Sequence, residues 1–321
     1  MIRVAVIGGG QNCEHDVSLA SAASVAGALD PERYDVVRLT IGADGGWSGP
    51  GVTSAAQAVA VLGACDVVLP IVHGPRGEDG ALAALCELVG VPVAGSGLAA
   101  GAAAMDKWMT KLVAAAVGVA VAPGVVVRRD GVAGVAWPGS PVVVKPVAAG
   151  SSRGVTLVRS RGALDAALRL ALEFDDRALV EPLIVGREID VAVLRLPDGG
   201  LRVGPPLEIV TDGVFDYEAK YAGPPPFLLP APLAAEDRAA LEAAAVTLVE
   251  ALGCRGVARV DFFLTADGPV LNEVNTMPGM TAHSQVPKMF AADGLTYPDL
   301  LDLLVAEALS RALPRSDVPV G

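Results

Sequence analysis

In this 321-residue chain Asp and Glu outnumber Lys and Arg by 36 to 24, a net charge of −12 that argues against a nucleic-acid or anionic-membrane partner. Half of it is apolar (52%) and only 19% is charged, which excludes disorder and gives enough core for two or three domains. Cys13, Cys65, Cys86 and Cys254 lie far apart, as free thiols in a reducing compartment do, and the start carries no charged leader; a cytoplasmic protein is expected.

Residues 3–7 form an apolar strand that runs into Gly8-Gly9-Gly10, followed by a helix from Asp16 to about residue 30 and a strand at 34–41. Strand–helix–strand predicts a parallel sheet. The glycines invite a dinucleotide fingerprint, but Cys13 stands where its third glycine belongs, and tight turning at the carboxyl end of the strand explains them equally. A strand at 66–72 delivers His73-Gly74-Pro75-Arg76-Gly77-Glu78-Asp79-Gly80, then come a helix at 81–89 and a short strand at 91–94. The alanine-rich run up to Ala104 reads as a junction. Residues 88–105 lack charge, yet four glycines and a proline make them a poor membrane span.

A second segment opens with Met105-Asp106-Lys107 and a helix to residue 117. Strands follow at 124–128, 141–145, 155–158 and 178–181, with a helix at 162–173. Strands resume from Glu188, then an irregular excursion at 211–226, a helix at 235–252, a hairpin at 257–275 and a closing helix at 297–312. The expected division is 1–100, 101–186 and 187–321.

The hairpin carries the most chemistry. A three-residue loop, Ala266-Asp267-Gly268, puts residue 261 opposite 273 and residue 259 opposite 275. Arg259, Asp261, Glu273 and Asn275 then share one face, while Val260, Phe262, Leu264 and Val274 enter a core. Two carboxylates and an amide oxygen suit a hard cation, magnesium above all, which leaves positions open for water and phosphate. Taken singly, each residue equally fits a solvated strand face. In register, they point to a metal–phosphate site.

Gly150-Ser151-Ser152-Arg153-Gly154, between two strands, offers amides and hydroxyls to a phosphate, although alone it equally makes a plain hairpin turn. Lys145 ends an apolar strand and Lys107 opens a helix; each either reaches solvent or meets an anion. Residues 178–184, with one carboxylate at Glu181 before a proline, suit an adenine edge.

HGPRGEDG at 73–80, AMDK at 104–107, VKP at 144–146, GSSRG at 150–154, Glu181 through Glu188, DYEAKY at 216–221 and RVDFFL…LNEVNTMPGMTAHS at 259–284 occur in this order. Together they resemble the D-alanine–D-alanine ligases of the ATP-grasp superfamily, nearly end to end. The resemblance implies an N-terminal parallel-sheet domain followed by two α+β subdomains that sandwich ATP. It implies an enzyme of peptidoglycan precursor synthesis: ATP phosphorylates one D-alanine, and the amine of a second attacks the acyl phosphate.

By the same resemblance, two magnesium ions, or manganese, fall to Asp261, Glu273 and Asn275, and the oxyanion to Arg259 with the amide near Gly279. Lys107 and Lys145 hold the α- and β-phosphates, with Ser151 and Ser152 beside them, and Lys220 holds the γ-phosphate. Glu181, Leu183, Ile184 and Glu188 take adenine and ribose. Glu14 pairs with the first D-alanine's ammonium, Ser151 and Tyr221 bind Glu14 and close the lid at 211–226, and His73 lies near the acceptor. Ser284 and the backbone of Gln285 take the second substrate's carboxylate. Relatives imply a homodimer.

This chain departs from the family pattern in three places: Gln285 stands where an apolar residue is common, Phe215 replaces a lid tyrosine, and Val147-Ala148-Ala149 replaces a more polar run. Three other readings compete: a paralogous ligase joining other D-amino acids, an NAD-dependent dehydrogenase resting on the glycine run, and a non-catalytic nucleotide-binding module.

Overall fold

The computed structural model describes residues 1–210 and 226–311. Lys220, Tyr221, Phe215 and nearly all of the expected lid lie outside the described residues.

β1 (Ile2–Gly9), β2 (Tyr34–Ile41), β3 (Trp47–Ser48) and β4 (Val67–Pro70) form a sheet in the order β3-β2-β1-β4. β1 is parallel to both neighbours, as its unbroken Val/Ile run predicts for a strand buried on both faces. The chain leaves β1 toward β2 through α1 (His15–Ala28) and later returns to β1's other side as β4. The carboxyl end of β1 is therefore the sheet's topological switch point, where open parallel sheets bind ligands. Gly9 has a φ of +85° there, and a Cβ on it would strike the Ile41 carbonyl.

The sequence misses α2 (Ala55–Gly63) and overlooks α4 (Leu98–Met105), which occupies the alanine-rich run read as a junction. Residues 91–94 make only an isolated parallel bridge, Val68 to Val93, rather than the expected strand. α3 (Ala81–Val89) is where its pattern places it.

After α5 (Lys107–Ala116), β5 (Val125–Arg128), β6 (Val142–Pro146), β7 (Thr156–Val158) and β8 (Arg177–Pro182) form an antiparallel sheet ordered β5-β8-β6-β7. α6 (Arg161–Phe174) covers one face, burying Leu164, Leu168 and Leu172 against Val142, Val144 and Val180. The i, i+4, i+8 spacing of those leucines is the helical stripe that puts them there.

The third sheet runs β12-β11-β9-β13-β14, with β10 (Leu201–Val203) also on β9. It comprises β9 (Arg187–Arg195), β11 (Leu207–Ile209), β12 (Phe227–Leu228), β13 (Val257–Thr265) and β14 (Gly268–Asn275). α7 (Ala235–Leu252) packs Leu241, Ala245 and Leu248 against Val191, Val260 and Phe262 on one face. Burying a side chain the size of Phe262 contributes about 2–3 kcal/mol. α8 (Gln285–Ala292) and α9 (Tyr297–Ser310) complete the fold, packing Met289, Phe290, Leu300 and Leu304 in a core shared with Val4, Val6, Val67 and Leu69 of the first sheet.

The hairpin corrects one expectation. Thr265 faces Gly268, so the turn is Ala266-Asp267 alone and the three-residue loop is not formed. Phe262 then pairs with Leu271, yet Asp261 pairs with Glu273 and Arg259 with Asn275. A bulge at Asn272 absorbs the extra residue and restores the register at the far end.

Candidate active site

A cavity of about 600 Å³ lies between the second and third sheets. Lys145 and Glu181 reach it from the second sheet; Glu188, Asp261, Phe263 and Glu273 reach it from the third. Strand alternation places Arg259, Asp261 and Phe263 on this side and sends Val260, Phe262 and Leu264 into the core beneath. The bulge adds Asn272, which strict alternation would turn away from Glu273's side, to the same wall.

Arg259 holds the ribbon's charge together. Its Nε and Nη2 each donate to an Asp261 carboxylate oxygen at 2.7 Å, and Nη1 donates to Gln285 Oε1 at 2.8 Å. Asn275 Nδ2 donates to Asp261 Oδ2 at 3.0 Å. Asp190, directly opposite Asp261 on β9 and fully buried, stands 3.5 Å from Arg259 Nε. Burial pulls the guanidinium's pKa down, but Asp261 and Asp190 together hold it well above its ordinary value. Burial and the neighbouring Asp261 push the Asp190 carboxyl well up. Three of the guanidinium's five N–H donors are thus used, leaving one on Nη1 and one on Nη2.

The lysines are anchored by carboxylates. Lys107 Nζ stands 3.1 Å from Glu273 Oε2 and donates to the Ala149 carbonyl at 2.9 Å. Lys145 Nζ meets Glu181 Oε2 at 2.7 Å and donates to Asn272 Oδ1 at 3.3 Å. Sequence reasoning misses a third, Lys111, which pairs with the other Glu181 oxygen and donates to the Ala122 carbonyl at 3.1 Å. It lies four residues after Lys107 on α5, so helical spacing was the available signal. Burial raises the Glu181 pKa, but Lys145 and Lys111 outweigh it and the carboxyl sits below its ordinary value. Burial moves Lys111 down. Leu183, Ile184 and Glu188 line the same cavity.

Ser151 and Ser152 both adopt a φ of +53°, a left-handed conformation that costs on the order of 1 kcal/mol per residue outside glycine. The turn brings the Ser151 hydroxyl to Glu14 Oε1, to which it donates at 2.7 Å. Glu14 occupies the N-cap position of α1 at the switch point of the first sheet, without a capping hydrogen bond from its side chain. Among the described residues its Oε2 is buried without a hydrogen-bond partner, and a Cβ on Gly74 or Gly150 would collide with that oxygen. Asn12 joins the two switch-point loops, donating to the carbonyls of His73 (2.8 Å) and Pro75 (2.9 Å) while accepting from Glu14 N.

His73 uses both ring nitrogens on protein partners, Nδ1 on the Met277 carbonyl at 2.8 Å and Nε2 on Ser21 Oγ at 3.0 Å. A carbonyl only accepts, so Nδ1 carries the proton and Nε2 accepts from the serine. Burial keeps the ring's pKa below its ordinary value, consistent with that neutral form. Glu78 belongs to the HGPRGEDG motif, whose sequence assigns it no role. It accepts from the amides of Gly74 (2.6 Å) and Met277 (3.1 Å), tying the first sheet's loop to the turn after β14.

A second cavity of about 250 Å³ adjoins the first, with Ile209, Arg259 and Gln285 on the walls of both. Phe227, Gly279, His283 and Ser284 line it further, His283 being another residue the sequence did not single out. Ser284 precedes α8, and its hydroxyl is engaged by the Thr281 amide at 3.1 Å and hydroxyl at 2.8 Å.

The donor set fits a magnesium ion. Asp261 and Glu273 are direct cross-strand neighbours on one wall, with the Asn275 amide beside Asp261. Among the described residues no cluster of three or more His, Cys, Asp or Glu forms an all-protein cage. Two carboxylates and an amide suit a small cation that takes its remaining oxygens from water and phosphate. No described helix is long and apolar enough to cross a membrane.

Family models for the D-ala D-ala ligase N-terminus (residues 3–60 and 48–96) and C-terminus (residues 113–306) match this chain. It is 42% identical to the D-alanine–D-alanine ligase of Nocardia farcinica over 97% of this chain and 98% of that one. The VanG D-Ala:D-Ser ligase of Enterococcus faecalis superposes with a TM-score of 0.87 at 35% identity, covering 96% of this chain and 99% of that one. The D-alanine–D-alanine ligase of Bacillus anthracis complexed with ATP superposes with a TM-score of 0.80 at 26% identity, covering 96% and 98%. These neighbours carry the ATP-grasp fold. The chain belongs to the D-alanine–D-alanine ligase family.

Proposed function

We propose that this enzyme joins two D-alanines into D-alanyl-D-alanine at the expense of ATP, supplying a peptidoglycan precursor. ATP fills the 600 Å³ cavity with adenine and ribose toward Glu181, Leu183, Ile184 and Glu188, and its phosphates toward Lys107, Lys145, Ser151 and Ser152. Asp261, Glu273 and Asn275 would hold magnesium, two ions in the full complex with manganese as a substitute, and the metal would supply positive charge to the transferring phosphoryl group.

The first D-alanine offers its ammonium to Glu14 Oε2. That orphaned oxygen is the observation that carries the reading: a buried carboxylate oxygen without a donor is costly, and an ammonium supplies one. The substrate carboxylate attacks the γ-phosphorus, ADP leaves, and Lys220 accompanies the phosphoryl group. The second D-alanine, its carboxylate at Ser284 and the Gln285 amide, then attacks the acyl carbon. Arg259 offers its two remaining N–H donors, with the Gly279 amide, to the developing oxyanion. His73 fixes the turn after β14 from the acceptor side. Tyr221 joins Ser151 and Glu14 when the segment 211–226 closes and shuts water from the acyl phosphate.

The division into a substrate domain (1–100) and two ATP-binding subdomains (101–186 and 187–321), a homodimer and a cytoplasmic location belong to the same reading. Phosphate release with ATP, magnesium and a panel of D-amino acids, with L-alanine as control, tests it. D-alanine-dependent turnover is expected; activity with L-amino acids alone would overturn the substrate assignment.

A further inference from the structure

Asp190 interrupts an apolar run in β9. Ile189 and Val191 on either side enter the core, and Asp190 turns to the opposite face, with Asp261 of β13 directly across from it. It has no exposed surface, and among the described residues neither of its oxygens has a hydrogen-bond partner. Carboxyl groups face to face on neighbouring strands repel, and a buried acceptor without a donor is costly. The cation beside it is Arg259, whose Nε stands 3.5 Å from Asp190 Oδ2. A shift of about half an ångström brings that pair to ordinary hydrogen-bond length. Arg259 instead directs Nε to Asp261 Oδ1 and Nη2 to Oδ2, where Asn275 also donates. These bonds fill most of the roughly four acceptor positions of a carboxylate. A metal cation and the guanidinium therefore compete for Asp261.

We propose that Asp190 is a positioning residue for Arg259: its carboxyl accepts the Nε–H that Asp261 gives up on turning to a cation, and so keeps the guanidinium at the reacting wall. This rests on the magnesium and oxyanion assignments above. Asp190 lies on the strand next to Asp261, so the guanidinium passes from one acceptor to the other without leaving the ribbon. Its Nη1 bond to Gln285 Oε1 stays available as a second tether. Without an acceptor at 190, Arg259 has only Asp261 to hold and competes with the metal for it. Loss of Asp190 thus weakens metal binding through Arg259, by about tenfold or more, the range seen when a partner behind a metal ligand is removed.

The test titrates the full-length protein with manganese in the presence of ADP, which undergoes no reaction, and reads bound metal from the loss of the free-ion EPR signal against an ADP-only control. Asp190→Val removes charge and acceptor together and is expected to raise the manganese Kd about tenfold or more. Asp190→Asn removes the charge but keeps a carbonyl oxygen for Arg259, so its loss is expected to be about threefold. In an Arg259→Gln background, Asp190→Val is expected to change the Kd less than about twofold, because the residue it acts through is gone. Thermal melts show whether each variant is folded. Should the double variant not fold, the single variants decide: at saturating metal, Asp190→Val is expected to lower kcat while leaving the KM for ATP within about twofold. Unchanged manganese affinity in both single variants overturns the proposal. So do equal losses in Asp190→Asn and Asp190→Val, or an undiminished loss without Arg259, since either means that only the charge of Asp190 matters. Asp261→Asn is the control for the underlying reading: manganese affinity unmoved by that change would defeat the metal assignment itself.

Discussion

The Ser151 hydroxyl meets Glu14 Oε1 at 2.7 Å across 137 positions of sequence, joining a strained serine turn of the second sheet to the switch point of the first. The contact occupies one carboxylate oxygen and leaves Oε2 as the buried acceptor. Glu14→Gln replaces a charged acceptor with a neutral one. A hydrogen bond to a charged group contributes about 1.5–3 kcal/mol, so kcat/KM for the first D-alanine should fall roughly 10- to 100-fold. Ser151→Ala should cost less, since it frees the carboxylate without removing it. Initial rates over a D-alanine series check both, and an unchanged kcat/KM in Glu14→Gln would remove the ammonium from this oxygen.

Glu273 sits between Lys107 at 3.1 Å and the cross-strand Asp261, so its charge serves both the lysine and any cation. Glu273→Gln should raise the magnesium concentration for half-maximal phosphate release by at least about tenfold and lower saturated turnover about a hundredfold. A magnesium titration of wild type and variant measures both. Half-saturation at the same magnesium concentration would place the cation elsewhere.

Much of this site is legible in the sequence because its strongest feature is two-residue alternation. Arg259, Asp261 and Glu273 reach one wall for the same reason that Val260 and Phe262 reach the core. Alternation fails at Asn272: no residue type announces a bulge, and the shorter turn and the bulge compensate, so the far register reads correctly from a wrong loop. Lys111 is harder to read because it lies inside a helix, one turn beyond Lys107, where a lysine ordinarily faces solvent. α4 was hidden because a run of alanines and a glycine carries no apolar–polar contrast. Glu78 and Asn12 act through backbone amides and carbonyls of distant loops, which no local spacing encodes.

Glu181 is nearly inaccessible and pairs with Lys111 and Lys145 at once, one carboxylate oxygen to each. Removing it leaves two buried ammoniums facing each other, whereas removing Lys111 leaves the Lys145 pair intact. Glu181→Leu should therefore destabilise the protein by about 3–5 kcal/mol, and Lys111→Met by distinctly less. Urea unfolding with and without ATP checks this. ATP should restore part of the loss in Glu181→Leu, since phosphates supply the missing negative charge. Equal losses in the two variants would show that the triad is not held by its shared carboxylate.

Glu78 gives the fold a pH dependence of its own. Burial pushes its carboxyl up from 4.5 to about 7, although the Gly74 and Met277 amides pull it down. Its folded pKa thus exceeds its unfolded one, and between pH 4.5 and 7 the folded protein binds the proton more readily. The stability this contributes is fully present below 4.5 and is lost as pH rises through 7, an effect on the order of 3 kcal/mol. Glu78→Gln is permanently neutral and accepts through one oxygen only. It should be less stable than wild type at pH 5, where it lacks the second accepting oxygen, and should close that gap by pH 8. Chemical denaturation at the two pH values reads the difference directly. A gap that stays the same from pH 5 to pH 8 would mean that the two amides outweigh burial and hold Glu78 ionised throughout.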